Sequence, residues 1–98
     1  MKLVYLPETD KDLDRLYDFL IENATSLKTA DKALLRIKQG VNALVHDPEL
    51  GIDMEDDTGR RELTLSFGKG AYIVRYFLEY EYKKILILRI WHSKEDRD

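Results

Sequence analysis

Apolar positions change their period along this chain, and each change marks an element. Lys2 to Leu6 reads as a short strand that Pro7 stops. Leu13, Leu16, Tyr17, Leu20 and Ile21 then recur at helical spacing and predict an amphipathic helix over residues 9–23. Thr9 is its predicted N-cap, with Asp10 and Asp12 favourable near the positive end of the helix dipole. A second stripe, Ala30, Ala33, Leu34, Ile37, Val41, Leu44 and Val45, predicts a helix that starts near Ser26 or Thr29 and is ended by Pro48. Gly40 lies inside that stripe. Glycine there costs ~1 kcal/mol relative to alanine, so a close helix–helix contact is the expected reason for it. Residues 47–59 read as a loop with an acidic run, Asp53, Glu55, Asp56 and Asp57, whose spacing does not match a calcium-binding loop.

After the loop the period drops to two. Arg60 to Phe67, Ala71 to Leu78 and Lys84 to Trp91 read as three strands, the first two joined by a Gly68-Lys69-Gly70 turn. The predicted fold is α+β, in the order β-α-α-β-β-β. A helical hairpin packs on one face of a largely antiparallel sheet, as one domain over residues 1–98. Alternation turns Leu63, Leu65 and Phe67 toward the helices. It puts Tyr72, Val74, Tyr76 and Leu78 on one side of the next strand and Ile73, Arg75 and Phe77 on the other. The last strand is apolar at both parities. If Leu86, Leu88 and Ile90 face the helices, then Ile87, Arg89 and Trp91 join Arg75 and Phe77 on the open side. Arginines among aromatics on an uncovered sheet face point to a docking surface.

Composition narrows the function classes. The chain has 98 residues and no cysteine, so disulfides and thiolate sites are excluded, which fits a reducing cytoplasm. No signal peptide is read, and the run Ile85 to Leu88 is too short to span a bilayer. The net charge of −3 is uneven. Residues 1–58 carry seven basic and thirteen acidic side chains, and residues 59–98 carry nine and six. The strand-rich part is therefore the natural face for an anionic partner, whereas a duplex-binding protein would be basic throughout.

Arg61, Arg75, Arg89, His92 and Lys94 are the candidates for gripping an anion. A guanidinium grips phosphate or carboxylate through a planar fork, and an imidazole can move a proton near neutrality. The alternative is that each arginine pairs with a nearby acid such as Glu62, Glu79 or Glu95. Trp91, Tyr72 and Tyr76 can either stack on bases or pack in a core. His46 sits at a helix C-terminus and takes no chemical role. No nucleophilic triad, Gly-rich phosphate loop, metal-ligand spacing or cofactor motif is present.

These residues resemble the RelE/ParE toxin superfamily, and within it the ParE-like branch of plasmid-stabilisation toxins. The resemblance is carried by Asp12-Leu13 and Leu16-Tyr17, by Leu44 with Asp47-Pro48 and Gly51, and by Arg61-Glu62-Leu63. It continues through Ala71-Tyr72-Ile73-Val74-Arg75-Tyr76 to the ending Ile87-Leu88-Arg89-Ile90-Trp91-His92-Ser93-Lys94-Glu95-Asp96. It implies a toxin of a type II toxin–antitoxin pair, neutralised by a cognate antitoxin and touching DNA only through that antitoxin. ParE-like members are associated with inhibition of DNA gyrase. RelE-like members are ribosome-dependent mRNA endoribonucleases, and on that alternative Arg61 and Arg75 would stabilise phosphate while His92 acts as acid or base. The Trp-His-x-x-Glu-Asp ending looks ParE-like, and the acidic chain departs from the basic pattern that ribosome binding favours. The resemblance therefore implies a non-enzymatic toxin, and the arginine–aromatic face with the anion-gripping candidates supplies its expected partner-binding residues, Arg61, Arg75, Phe77, Arg89, Trp91, His92 and Lys94.

Overall fold

A computed structural model describes residues 1–23 and 26–95. Its elements are β1 (Lys2–Tyr5), α1 (Pro7–Glu22), α2 (Leu27–Ala43), β2 (Ile52–Asp53), β3 (Arg60–Phe67), β4 (Gly70–Glu79) and β5 (Lys84–His92). The five strands form one sheet in the order β1-β5-β4-β3-β2, in which only β1 and β5 run parallel. The two helices pack on one face, so the α+β helical-hairpin architecture holds. The sheet gains one strand over the expected order, because Ile52–Asp53 inside the acidic loop pairs with Glu62 and Arg61.

The core lies between the helices and the sheet. Ala30, Ala33, Ile37, Val41 and Leu44 of the second helical segment are buried against Leu63, Leu65, Tyr72, Val74, Tyr76 and Leu78. Phe67 is only partly buried at the edge of that layer, and Val45, expected in the stripe, is exposed beyond the helix end. Ser26 caps α2 by accepting the Thr29 N–H through its hydroxyl. Gly40 does mark a close approach, but to the sheet: a Cβ there would lie 2.4 Å from Leu65 Cδ2. Gly68 takes φ +60° in the β3–β4 turn, where that backbone favours glycine.

The start of α1 differs from the sequence reading. Leu6, not Thr9, is the N-cap residue, and Pro7 occupies the first turn, where its missing N–H costs nothing. Thr9 is instead fully buried and donates its hydroxyl to Ile87 O at 2.6 Å.

Strand β5 carries the other correction. Its register on β4 runs Arg75↔Arg89 and then Tyr76↔Ile87, so Leu88 is an extra residue in a bulge. The bulge rephases the alternation. Ile85 and Ile87 are buried on the helix side together with Ile90, while Leu86 and Leu88 are only partly buried. Ile87 therefore does not join Arg89 and Trp91 on the open face.

Candidate partner-binding site

Three rows of side chains cross the middle of the sheet face away from the helices, as the register defines them. One row is Val4, Leu86, Phe77 and Arg60; the next is Arg89, Arg75, Glu62 and Ile52; the third is Trp91, Ile73 and Thr64. Cross-strand partners share a face, so Arg75 stands between two largely apolar rows. Val4, Leu86, Phe77, Ile73 and Trp91 are all partly exposed. Arg75 donates through Nε and Nη2 to Glu62 Oε2 at 3.0 and 2.8 Å, and its guanidinium lies 4.9 Å from the centre of the Trp91 ring.

Arg89 begins on the same face, but its guanidinium reaches Asp12 of α1. Nε and Nη2 donate to the two carboxylate oxygens at 2.8 and 3.0 Å. Asp12 stands beside a stretch of β5 that no strand covers, since β1 ends at Tyr5 opposite Ile87. There α1 completes the edge with side chains. Asp12 accepts the Ile90 N–H at 2.9 Å, and Arg15 donates to Ile90 O at 3.3 Å. Glu95 accepts the His92 N–H at 2.9 Å and an Arg15 N–H at 3.1 Å. Burial pushes the Asp12 carboxyl up, but hydrogen bonds from Arg89, the Ile90 N–H and Arg15 outweigh it and hold the group below its ordinary value. Sequence reasoning assigned Asp12 to the helix dipole and missed this role. Its place in an i, i+3 pair with Arg15 was the available signal.

The other candidates lie elsewhere. Arg61 points to the helix side at the far end of β3. Its Nε and Nη2 donate to Gly51 O and Glu49 O at 3.0 and 3.1 Å, pinning the loop that follows α2. His92 also faces the helix side, edge-on to Tyr72 with ring centres 5.2 Å apart, and its Nδ1 accepts the Lys94 N–H. Lys94 is exposed beside it on the same side. Of the expected docking residues, Arg75, Phe77, Arg89 and Trp91 share one face, whereas Arg61, His92 and Lys94 do not join them. The expectation that Arg61, Arg75 and Arg89 serve one partner-binding surface is thus corrected: Arg61 serves a loop, and Arg75 and Arg89 each hold a carboxylate. Asp96 of the ParE-like ending lies outside the described residues. Among the described residues no group of three or more His, Asp or Glu side chains is placed to hold a metal ion.

The chain is similar to known toxins over nearly its whole length. It is 29% identical over 87 residues to toxin RelE1 of Caulobacter vibrioides, covering 89% of this chain and 87% of that protein. The chromosomal ParDE toxin–antitoxin system of P. aeruginosa contains a chain of the same fold, with a TM-score of 0.72 and 28% identity over 92% of each chain. A chain of the toxin–antitoxin complex RelBE2 of Mycobacterium tuberculosis shares the fold alone, with a TM-score of 0.59 at 15% identity over 94% of this chain and 96% of that one. The family model described as the ParE toxin of the type II toxin–antitoxin system parDE matches residues 3–97, and the chain belongs to that family.

Proposed function

We propose that this toxin acts by binding a macromolecular target without cleaving it, that DNA gyrase is that target, and that a cognate antitoxin neutralises it. The observation that carries the binding reading is the separation of the ribonuclease candidates. Arg75 lies on the open face in an ion pair with Glu62. Arg61 and His92 lie on the helix side, at opposite ends of the sheet. General acid–base cleavage needs its groups within hydrogen-bond reach of one reacting phosphate, and no single phosphate meets these three. What the molecule does present is a broad face with apolar rows around Arg75 and Trp91, which suits association. Gyrase as the target is supported by family membership alone.

For the antitoxin, the reading is an acidic–apolar tail held on the open face, with Arg75 as its anchor, since the Arg89 fork is taken by Asp12, and Phe77 and Trp91 covered by its apolar side chains. Both structural neighbours named above come from toxin–antitoxin pairs, which supports such a partner. No helix among the described residues is long and apolar enough to cross a membrane, and the proposed target places the action in the cytoplasm.

Two assays on the purified chain decide the target. The expected result is loss of supercoiling by gyrase, with no new 5′ ends in primer extension on translated mRNA. New 5′ ends with unimpaired supercoiling would replace this reading with the ribosome-dependent endoribonuclease.

A further inference from the structure

The end of the sheet where β4 turns into β5 holds a cluster that the target and antitoxin readings leave unused. The turn runs Tyr80-Glu81-Tyr82-Lys83, and Lys84 opens β5. Parallel pairing of β1 with β5 sets Lys2 beside Lys84, and the Lys2 N–H donates to Lys83 O at 2.8 Å. Backbone pairing of two distant segments thus gathers three lysines, all exposed. Like charges side by side on neighbouring strands repel. Arg75 and Arg89 meet the same problem with an acid each, yet among the described residues none of these three lysines enters an ion pair. The acids nearby are otherwise placed. Glu79, across β4 from Lys84, turns Oε1 back to accept the Glu81 N–H at 3.0 Å. Glu49 accepts the Tyr80 hydroxyl at 3.5 Å, and Glu81 lies exposed in the turn. Two tyrosines complete the cluster, Tyr80 with 65% and Tyr82 with 67% of its surface in water. The Lys84 ammonium lies 6.0 Å from the centre of the Tyr82 ring.

We propose that this end of the sheet binds single-stranded DNA directly, with Lys2, Lys83 and Lys84 on its phosphates and the Tyr82 ring stacked on a base. The residue types favour a phosphate chain over an acidic peptide. Where this molecule holds a carboxylate bidentately it uses an arginine fork, as Arg89 does on Asp12. Lysine is a point charge on a flexible stem, suited to a row of phosphates that can shift. An exposed tyrosine beside such a row offers a face that any unpaired base can use. Three cations make a short track, which suits a single strand, whereas a duplex reader would be basic over its whole domain. A bound backbone also relieves the repulsion between Lys2 and Lys84. The inference goes beyond the gyrase and antitoxin readings and stands without either. It departs from the expectation that DNA is touched only through an antitoxin.

The test is fluorescence anisotropy of a labelled short oligothymidylate titrated with the full chain at several salt concentrations. Wild type should bind at low salt, and log K should fall against log salt with a slope of about −2, the value for three phosphate contacts on a single strand. Lys2→Ala and Lys84→Ala should each weaken binding several-fold and flatten that slope by about 0.7. Tyr82→Ala should weaken it about tenfold, and Tyr82→Phe should keep it. Lys69→Ala, in the turn at the opposite end of β4, should bind as wild type does. All four positions are exposed, so melting temperatures should not move and lost contact is separated from lost fold. No binding at low salt overturns the inference and leaves the gyrase reading standing, since loss of supercoiling is measured separately. Lys69→Ala as harmful as Lys84→Ala shows diffuse attraction without a site and overturns it too. A duplex bound more tightly than the oligothymidylate, with Tyr82→Ala neutral, overturns the stacked single strand. Binding to phosphatidylserine vesicles without binding to the oligothymidylate gives the cluster to a lipid surface and is equally fatal.

Discussion

Arg75 and Arg89 stand opposite each other across β4 and β5, and each turns its Nε–Nη2 edge to a carboxylate on its far side, Glu62 for Arg75 and Asp12 for Arg89. Like charges directly across a strand pair repel. Here the two acids flank the two cations, so the row reads acid, base, base, acid. The flanking acids differ in burial: the side chain of Asp12 is 2% exposed and that of Glu62 32%. Arg89 is therefore committed to the fold, and Arg75 is the more exchangeable of the two toward a partner.

Asp12 should be the most stability-sensitive charged residue of the chain. It serves Arg89, Arg15 and the Ile90 N–H at once. Asp12→Ala leaves Arg89 without its carboxylate and the Ile90 N–H without its acceptor, while Arg15 keeps Glu95, and the expected loss is about 2–4 kcal/mol. Asp12→Asn keeps the shape but not the charge, and about 2 kcal/mol is expected. Urea denaturation measures both. A loss below about 1 kcal/mol for Asp12→Ala would show that the β5 edge is held by other means.

The same carboxyl gives the acid limb of the stability curve. Its folded value is depressed below 3.8. It therefore contributes stability that is fully present above the ordinary carboxylate range and is lost as pH falls through the depressed value. Asp56 acts in the same direction: the Thr58 hydroxyl, then Arg60, lowers it to about 2. The urea midpoint should fall from about pH 5 downward, and the Asp12→Asn curve should be flatter over that window. Equal slopes for the two proteins would remove Asp12 as the cause.

Two glycines are expected to respond differently to alanine. At Gly40 the new methyl would meet the methyl groups of Leu65, which can turn, and the helix gains propensity. A net loss of about 1 kcal/mol is expected. At Gly51 the methyl would lie 2.7 Å from the Tyr76 hydroxyl and 2.9 Å from Glu62 O, which is backbone. That hydroxyl donates to Pro48 O and accepts the Gly51 N–H, both at 2.8 Å. Moving it breaks both bonds in a buried place, so about 3 kcal/mol is expected. Thermal melts of the two variants rank them, and Gly40→Ala as the worse would contradict this packing.

Much of the fold was legible because periodicity reports burial directly. Leu63, Leu65, Tyr72, Val74, Tyr76 and Leu78 all lie on the face that alternation predicts. The last strand resisted for a physical reason. Both of its parities are apolar, and one extra residue, Leu88, changes the phase midway. Thr9 misled because a polar residue before an apolar stripe resembles a cap, while Pro7 had already set the first turn. The site was half legible. Arg75, Phe77, Arg89 and Trp91 follow from parity and register, and Arg61 shares the inward parity of Leu63 and Leu65, but nothing local tells that it meets two loop carbonyls or that Asp12 holds the β5 edge.

Arg61 and Arg75 should separate fold from toxicity. Arg61 is bound to its own chain, through Gly51 O and Glu49 O. Arg61→Ala should therefore cost about 1–3 kcal/mol of stability, since two backbone carbonyls lose charged donors. Growth inhibition should survive in the fraction that folds, because the open face is untouched. Arg75→Ala removes a partly buried pair with Glu62, so the stability cost should be about 1 kcal/mol. It also removes the cation over Trp91. If the open face is where the target docks, Arg75→Ala and Trp91→Ala should abolish growth arrest after induction without antitoxin, at protein levels matched by immunoblot. The opposite pattern, arrest lost with Arg61→Ala at wild-type stability and kept with Arg75→Ala, would move the target site to the helix side of the sheet.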